Sequence, residues 1–319
     1  MTNWQKSDFQ NITGLLLENE LLSKRTWLGV GGLADLYFEP DDEADLARFL
    51  EQAPADMPLT VMGAGSNMLV RDGGIEGCVI RLQNHFRRLD IDGEDIIAGA
   101  GATDAELARF AAKNGRGGLS FLVSIPGTIG GGLRMNAGCY GAEFKDVVIT
   151  AKMMARDGTI YEQTPQEMGM RYRHSDVDGD WIFLSARFAT KPAEVASLKA
   201  EMKEMLAMRA ATQPQGVRTG GSTFANPEGG KAWQVIDEAG CRGLHIGDAS
   251  MSDKHCNFMI NKGNATASEL EMLGEQVRAK VRQKSGIDLR WEIKRLGRLP
   301  AEMTNTPSPS PSMTGDKHD

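Results

Sequence analysis

The chain has 319 residues, 41% of them hydrophobic and 25% charged, a composition typical of a globular protein with a packed core and about two domains. Its formal net charge of -7 argues against a broad surface for nucleic acid or anionic membrane, so a polyanionic ligand would need a pocket that concentrates positive groups. The first ten residues are polar and no apolar run is long enough to span a bilayer, which predicts a cytoplasmic protein without membrane insertion.

The cysteines and histidines bear on redox state and metal binding. Cys78, Cys139, Cys241 and Cys256 are far apart and form no CxxC pair. This spacing is typical of reduced thiols rather than of a disulfide framework or a zinc site. The five histidines are equally scattered, so the sequence predicts no metal site.

Short apolar runs with strand character alternate with glycine clusters up to residue 191. An Asp157-Gly158 pair between two β-rich runs predicts a hairpin turn. Two helices are also predicted, at 42–52 and 104–114, the second begun by a Thr103 or Asp104 cap. The predicted strands are 33–38, 59–62, 78–82, 95–98, 147–154 and 181–189.

The pattern changes near residue 192, where a long charged segment carries apolar residues at helical spacing to residue 209. A Gly/Thr loop follows at 212–223. The remaining predicted elements are helices at 231–239 and 267–284 and strands at 258–260 and 289–296, which together favour an α+β fold. Residues 299–319 contain four prolines among serines and threonines and predict a disordered tail.

A first glycine loop follows the predicted strand at 59–62. Its backbone N–H groups can form a concave anion-binding nest, because glycine permits close approach. A Rossmann nucleotide-binding turn is not predicted, because Met68 replaces the third glycine and residues 69–77 have the composition of a loop rather than a helix. A plain tight turn fits this segment equally well. The loop consists of Gly63, Ala64, Gly65, Ser66 and Asn67.

A second loop is richer in glycine, with four glycines within six residues after a bend at Pro126. Such a density is entropically costly and favours backbone that approaches a large, planar, diphosphate-bearing ligand. Together the two loops therefore favour dinucleotide binding. The candidate ligand contacts in this segment are Ser124, Pro126, Gly127, Thr128, Gly130, Gly131, Asn136, Ala137 and Gly138.

These two loops resemble the flavin loops of the PCMH-type FAD-binding fold. Three later segments extend the likeness: Tyr-Arg-His-Ser at 172–175, Gly-Ser-Thr-Phe-Ala-Asn-Pro at 221–227, and Trp-Glu-Ile at 291–293. All five in this order, across residues 26–297, resemble the UDP-N-acetylenolpyruvoylglucosamine reductase (MurB) family.

The resemblance implies an activity and a domain plan. The activity is NADPH-dependent, FAD-mediated reduction of UDP-N-acetylglucosamine enolpyruvate to UDP-N-acetylmuramate in peptidoglycan precursor synthesis, with non-covalent FAD held by the two loops. The implied plan is a two-lobed FAD-binding domain at 26–191 (lobes 26–82 and 83–191) and a smaller α+β substrate-binding domain at 192–298. Outside the resemblance, we predict an N-terminal helical segment at 1–25 and the disordered tail at 299–319.

The resemblance also implies residue roles. Arg173 matches the catalytic arginine, Ser222 the proton-donating serine and Glu292 the catalytic glutamate. Asn226 matches a substrate contact, and Tyr172 and Lys262 are further candidates. The short segment between Arg173 and Ser222 resembles the compact form of the family, and this leaves open which residues hold the UDP diphosphate.

The chemistry is consistent with those roles. A guanidinium can bind the substrate carboxylate bidentately and hold it more strongly as negative charge grows. Ser222 could then protonate the carbanion. An ionised Glu292 would repel the negative charge that develops on the substrate and raise the barrier. We therefore expect Glu292 either to be protonated or to pair with Arg173.

From residue type alone, each of these three residues also has an interpretation without a catalytic role. Arg173 fits a surface ion pair and Ser222 fits a turn or helix cap. Alternation of the segment at 289–294 places Glu292 on the polar, exposed face of the last strand.

Two other functions compete with the reductase. One is an FAD-dependent oxidase of the same fold with covalently bound flavin, for which Cys139 would be the candidate attachment residue. The other is a flavin- or nucleotide-binding protein without a reaction of its own. In either case the ligand is a small molecule, and a monomer is the favoured state.

Overall fold

The computed structural model describes residues 4–300, so nearly all of the predicted tail lies outside the described residues. Helices and strands are interspersed irregularly along the chain, which confirms the α+β class. Short 3-10 helices connect several elements, at Lys6–Asp8, Leu22–Lys24, Asn84–Arg87, Ser120–Ser124 and Phe144–Asp146.

The first lobe is a four-stranded sheet in the order β1-β2-β5-β3, in which only β1 runs antiparallel to its neighbour. The buried face of β2 packs on the helix α1, where Phe38 stacks on Phe49 with ring centroids 4.5 Å apart. The elements are β1 (Leu15–Leu21), β2 (Leu33–Glu39), α1 (Glu43–Gln52), β3 (Leu59–Val61), β4 (Met68–Val70) and β5 (Ile75–Ile80).

The predicted N-terminal helical segment is wrong for residues 15–21. These residues form an edge strand whose backbone pairs with β2, with Leu16 opposite Phe38. Leu16 is buried in the core while most of its neighbours in β1 are partly or fully exposed. Tertiary pairing therefore overrides local helix propensity in this segment.

The second lobe contains a five-stranded antiparallel sheet in the order β12-β11-β13-β7-β6. The predicted hairpin turn is confirmed, since Gly158 has a φ of +81° between β11 and β12. The elements are β6 (Leu89–Asp92), β7 (Asp95–Gly99), α2 (Asp104–Lys113), β8 (Arg116–Gly117), α3 (Ile129–Met135), β9 (Gly138–Cys139), β10 (Ala142–Glu143), β11 (Val148–Met154), β12 (Ile160–Gln163), β13 (Ile182–Phe188) and β14 (Lys191–Pro192).

Part of the predicted second glycine loop is helix α3, which Thr128 caps. At least one of its glycines is required by packing rather than by a ligand. A Cβ added at Gly132 would lie 2.2 Å from Cζ of Phe144, whose ring is completely buried. The high glycine content of this segment is therefore explained by helix packing as well as by close approach to a ligand.

The C-terminal part contains a four-stranded antiparallel sheet in the order β15-β18-β17-β16, on which α6 packs, and α5 packs against α6. The indole of Trp291 lies against Gly274 of α6, where a Cβ would be 2.1 Å from the ring. The elements are α4 (Val195–Thr212), β15 (Arg218–Ser222), α5 (Ala232–Glu238), β16 (His245–Ile246), β17 (Ala249–Met251), β18 (Phe258–Asn261), α6 (Ala267–Ser285) and β19 (Lys294–Leu296).

Packing does not follow the predicted division at residue 192. Leu198 and Met202 of α4 are buried in the core of the first two lobes, whereas Leu28 and Leu69 are buried in the C-terminal core. In addition, β19 pairs in parallel with β4 of the first lobe. The segments before and after residue 192 therefore share hydrophobic cores, since each segment contributes buried apolar side chains to the core of the other.

None of the helices within residues 4–300 is both long enough and apolar enough to cross a membrane.

We predict that Gly132→Ala destabilises the folded chain by roughly 1–3 kcal/mol, because the added methyl group overpacks against Phe144. Urea unfolding without added FAD measures this change. Gly131→Ala is a control in the same helix, since its Cβ would meet only Thr128 Oγ1 at 3.6 Å. Equal stability of the two variants would contradict the packing role of Gly132.

Candidate active site

A cavity of about 470 Å³ lies where the two lobes meet the C-terminal part. Both predicted glycine loops line it, and so do Arg173, Ser222 and Glu292. Residues that are distant in sequence therefore converge on one space. Of the predicted FAD contacts in the two loops, all but Asn136 line this cavity.

The first loop is fixed to both of its neighbours. Ser66 Oγ donates to the carbonyl oxygen of Pro126 at 2.6 Å, which joins the two glycine loops. Asn67 Nδ2 donates to the carbonyl oxygen of Glu292 at 3.3 Å, and the Asn67 carbonyl accepts from the Lys294 N–H at 3.0 Å. The side chains of this loop thus hold the backbone in place, and none of its backbone N–H groups donates to another residue within 4–300.

Glycine is required at two points of this loop. Gly65 has a φ of +66°, and a Cβ there would lie 2.5 Å from the carbonyl oxygen of Arg25. At Gly63 a Cβ would lie 2.4 Å from Thr128 Oγ1. Side chains are excluded at these two positions because neighbouring residues outside the loop, Arg25 and Thr128, approach its backbone closely.

Asn136 has a structural position. It is completely buried, with a φ of 39° at the end of α3. Its Nδ2 donates to Glu143 Oε2 and to the carbonyl oxygen of Arg171, and its Oδ1 accepts from the Lys145 N–H at 2.9 Å. The predicted FAD contact of Asn136 therefore has no support from its position.

Arg173 is held in a constrained conformation at the cavity. Its φ of +54° lies in the left-handed region, which non-glycine residues enter at a cost of about 1–3 kcal/mol. Its Nη2 donates to the Gly138 carbonyl at 2.8 Å and its Nε to Glu292 Oε1 at 3.3 Å. The guanidinium also lies over the Tyr172 ring, 5.0 Å from its centroid. These contacts fix the direction of the guanidinium.

Glu292 is not on an exposed strand face, so that prediction from alternation is wrong. Its side chain is 19% exposed, and regular strand pairing begins only at Lys294. The N–H groups of Glu292 and Ile293 both donate to the Thr223 carbonyl, at 2.9 and 3.4 Å, which breaks the alternation. This bend turns the carboxyl group towards Arg173.

Glu292 forms the pair with Arg173 that was one of its two alternatives, and burial favours the protonated form that was the other. Burial raises the pKa of its carboxyl group above the ordinary value, and the neighbouring Arg173 opposes that shift. The carboxyl group also pairs with Arg173 directly.

Ser222 occupies the last position of β15, adjacent to Thr223, whose carbonyl receives the Glu292 N–H. The preceding Gly221 has a φ of +79°, and the register of β15 against β18 shifts between Thr219 and Ser222. This irregularity presents Ser222 at the cavity.

The three predicted substrate contacts do not line the cavity. Tyr172 is 48% exposed and lies against Arg173. Asn226 is exposed, and its Oδ1 accepts from the Ala232 N–H at the start of α5. Lys262 is also exposed. Their substrate roles stay predictions.

Comparisons with known proteins agree with this geometry. A family described as the UDP-N-acetylenolpyruvoylglucosamine reductase C-terminal domain matches residues 213–296, and an FAD binding domain matches residues 34–164. UDP-N-acetylenolpyruvoylglucosamine reductase of Paramagnetospirillum magneticum is 50% identical over 93% of this chain and 98% of its own. The enzyme of the same name from Azorhizobium caulinodans is 52% identical over 91% and 94%.

A solved structure of this enzyme from Thermus caldophilus has a TM-score of 0.78 and 32% identity, and the match covers 89% of this chain and 99% of that chain. The chain belongs to the UDP-N-acetylenolpyruvoylglucosamine reductase family. It is thus an FAD-dependent oxidoreductase of peptidoglycan precursor synthesis, which confirms the resemblance predicted from the loops.

The cavity of this reductase fits FAD. Asp104 and Ser124 line it and are nearly or fully buried, yet neither oxygen of Asp104 nor Ser124 Oγ has a hydrogen-bond partner among residues 4–300. A Cβ at Gly221 would meet no protein atom within 4 Å. Buried polar atoms without partners are rare, and a polar ligand between the loops would supply them.

Asp104 is a site residue that sequence reasoning missed. It was considered only as a helix cap, a role that the Thr103 side chain fills by accepting from the Glu106 N–H. Burial raises the pKa of the Asp104 carboxyl group well above its ordinary value. In the sequence, the one signal that Asp104 lines the cavity is its position shortly after a glycine cluster.

Cys139 also lines the cavity and is half-buried. Burial raises the pKa of its thiol to about 11, so the thiol is neutral near pH 7 and a poor nucleophile. Its Sγ lies 3.3 Å from the Phe121 carbonyl oxygen. Within residues 4–300, no cluster of three or more His, Cys, Asp or Glu side chains is placed to hold a metal ion.

We predict that Asp104→Asn stabilises the protein increasingly as pH rises above the ordinary aspartate pKa of about 4. The folded parent retains a proton that the unfolded chain releases, so its stability falls by up to about 1.4 kcal/mol per pH unit until the folded-state pKa is reached. Asparagine has no such proton. Urea unfolding of the FAD-free protein, at several pH values between about 5 and 8, measures the difference.

Asp56→Asn is the control, because Asp56 is exposed. If the Asp104→Asn and parent stabilities stay parallel over this pH range, Asp104 is ionised in the folded protein and the prediction is wrong.

Proposed function

We propose that this chain catalyses the NADPH-dependent reduction of UDP-N-acetylglucosamine enolpyruvate to UDP-N-acetylmuramate, as a cytoplasmic monomer. The observation that carries this proposal is that Arg173, Ser222 and Glu292 all line the glycine-lined cavity, with Arg173 and Glu292 in direct contact. The names of the relatives support the choice of substrate. FAD, when bound, supplies the hydride that reduces the enolpyruvyl carbon–carbon double bond.

Arg173 binds and stabilises the substrate carboxylate. When the terminal carbon of the enol ether accepts a hydride, negative charge forms on the adjacent carbon and spreads into the carboxylate. Glu292 and Gly138 use one N–H each from Nε and Nη2, and no residue within 4–300 takes the Nη1 edge, which can bind that carboxylate. A charge-assisted contact of this kind strengthens as the charge develops.

Ser222 donates the proton. Its hydroxyl makes no hydrogen bond to another residue within 4–300, so its proton is not committed elsewhere in the described structure. It follows Gly221 at the end of β15 and faces the same cavity as Arg173. A serine hydroxyl is a weak acid, and it can act here because a carbanion is a strong base.

Glu292 positions Arg173 and limits repulsion. An unpaired carboxylate beside the developing negative charge would raise the barrier. Burial favours the protonated form, and the 3.3 Å contact with Arg173 Nε neutralises the ionised form. In either form the residue holds the guanidinium without adding net negative charge to the pair.

The neutral thiol of Cys139 disfavours the competing oxidase with covalently bound flavin, since thiolate formation is suppressed by burial. The first test of the proposal is spectroscopic. The purified protein should be yellow, its flavin should be bleached by NADPH, and anaerobic addition of the enolpyruvyl substrate should restore the colour. All flavin should also remain in the supernatant after acid precipitation.

Bleaching without recovery of the colour would leave a flavin-binding protein that lacks the proposed reaction. A yellow acid precipitate would instead point to covalent attachment and an oxidase.

We predict that Ser222→Ala retains flavin reduction by NADPH and loses substrate reduction by about 10²–10⁴-fold, the range for a lost general acid. Stopped-flow absorbance separates the two half-reactions. Ser250→Ala, which removes a buried hydroxyl from β17, two strands away in the same sheet, is the control and should keep both. A Ser222→Ala rate within tenfold of the parent would remove Ser222 from the proton-donating role.

A further inference from the structure

A polar cluster borders the cavity beside the catalytic wall. It consists of Ser124, Arg209 and Gln213, all of which line both the main cavity and an adjoining one of about 470 Å³. Ser124 Oγ and Gln213 Oε1 are buried and have no hydrogen-bond partner among residues 4–300. Arg209 forms no ion pair with any carboxylate in the same range.

The cluster lies close to Arg173. The Gly138 carbonyl accepts from Arg173 Nη2, and the next residue, Cys139, is close enough for its thiol to be influenced by the charges of both Arg173 and Arg209. Tyr140 Oη donates to the Met205 carbonyl at 2.9 Å, which fixes this segment to helix α4. Arg209 is in the last turn of α4, so the helix places its guanidinium beside the reactive wall.

Gln213 is fixed by the end of the same helix. Its backbone N–H donates to the Arg209 carbonyl at 2.9 Å as α4 terminates. Gln213 directly follows the last helical residue, and both Arg209 and Gln213 line the two cavities. One short segment of the chain thus presents a cation and an amide to the same space.

Such groups are unfavourable without a ligand. Burial lowers the pKa of Arg209 from its ordinary value, and no carboxylate in the described structure compensates its charge. A buried amide oxygen and a buried hydroxyl without partners add to this unfavourable free energy. The cluster calls for a ligand with an acceptor for Arg209 and both a donor and an acceptor for Gln213.

We propose that Arg209 and Gln213 recognise the pyrimidine edge of the FAD isoalloxazine ring. This edge presents the imide N3–H between the C2 and C4 carbonyl groups. An amide side chain, which carries one acceptor oxygen and two donor hydrogens, matches N3–H and an adjacent carbonyl whichever way the amide is turned. Arg209 donates to the C2 carbonyl side, and Ser124 supplies a further hydroxyl.

The main alternative ligand is a diphosphate, which presents only acceptor oxygens near neutral pH. It would pair with Arg209 but would leave Gln213 Oε1 without a donor. The imide edge satisfies both residues, which favours the ring over the phosphates of FAD or of the substrate. The inference depends on FAD as the cofactor but not on the enolpyruvyl substrate proposed above.

Arg209 also acts as a redox-tuning residue. Reduction adds negative charge to the isoalloxazine ring near N1 and the C2 carbonyl, and a neighbouring cation stabilises that charge. Arg209 therefore makes the bound flavin easier to reduce.

The test for Gln213 uses 3-methyl-FAD, in which a methyl group replaces the imide hydrogen. The parent apoprotein should bind this analogue roughly 5- to 150-fold more weakly than FAD, the range for leaving a buried polar group unpaired. In Gln213→Ala the preference for FAD should shrink to within about threefold. Gln283→Ala, an exposed glutamine on α6, should keep the full preference. Equal binding of the two flavins by the parent would overturn the role of Gln213.

The test for Arg209 compares Arg209→Gln and Arg209→Lys with Arg282→Gln, an exposed arginine on α6. Arg209→Gln should lower the flavin midpoint potential relative to the parent. Arg209→Lys should lower it less, because lysine keeps the positive charge. Matching far-UV circular dichroism and urea midpoints show that the variants are folded. These readouts need no nucleotide sugar, so they stand even if the proposed reaction fails.

An unchanged potential and FAD affinity in Arg209→Gln, with a raised KM for the nucleotide sugar, would overturn the proposal and assign Arg209 to the substrate.

Discussion

The active site depends on a few hydrogen bonds to the backbone around Glu292. The Glu292 N–H donates to Thr223, its carbonyl accepts from Asn67, and the Asn67 carbonyl in turn accepts from the N–H of Lys294. These bonds join the first cofactor loop, the serine loop and the segment that carries the glutamate. Each bond contributes only about 1 kcal/mol to stability, but together they set the relative positions of the reacting groups.

Charge is distributed to suit an anionic ligand. The chain as a whole is acidic, yet Arg134, Arg173, Arg209 and Lys294 all line the cavity. The composition predicted such local concentration, because a chain of net charge -7 repels polyanions elsewhere. Arg173 is held with a positive φ at this point, and strain of that kind is retained where surrounding contacts fix the residue for a function.

Local signals predicted most of the fold. The helices at Asp104–Lys113 and Ala267–Ser285 begin with capping boxes, and the hairpin turn has glycine at its left-handed position. Signals that depend on distant parts of the chain were misread. The edge strand at Leu15–Leu21 needs β2 as its partner, and the bend at Glu292 needs the Thr223 carbonyl.

In the site, too, residues within short motifs could be predicted from the sequence, whereas residues placed there by distant contacts could not. The motifs singled out Arg173, Ser222, Glu292 and the two glycine loops, which carry unusual residue combinations over short segments and line one cavity in the structure. Asp104, Arg209 and Gln213 are ordinary residues on helices or helix ends, and their only local signal is the position of Asp104 after a glycine cluster. Their importance comes from burial beside the cavity, which the folded structure creates.

The pairing of β19 with β4 has a consequence for the order in which the protein can mature on the ribosome. The strand at Met68–Val70 emerges early, but its parallel partner at Lys294–Leu296 is the last strand of the described chain. The segment that carries Glu292 therefore cannot be fixed by this pairing until residue 296 has been synthesised. Until then the backbone edge of β4 is unpaired, and unpaired strand edges favour aggregation of folding intermediates.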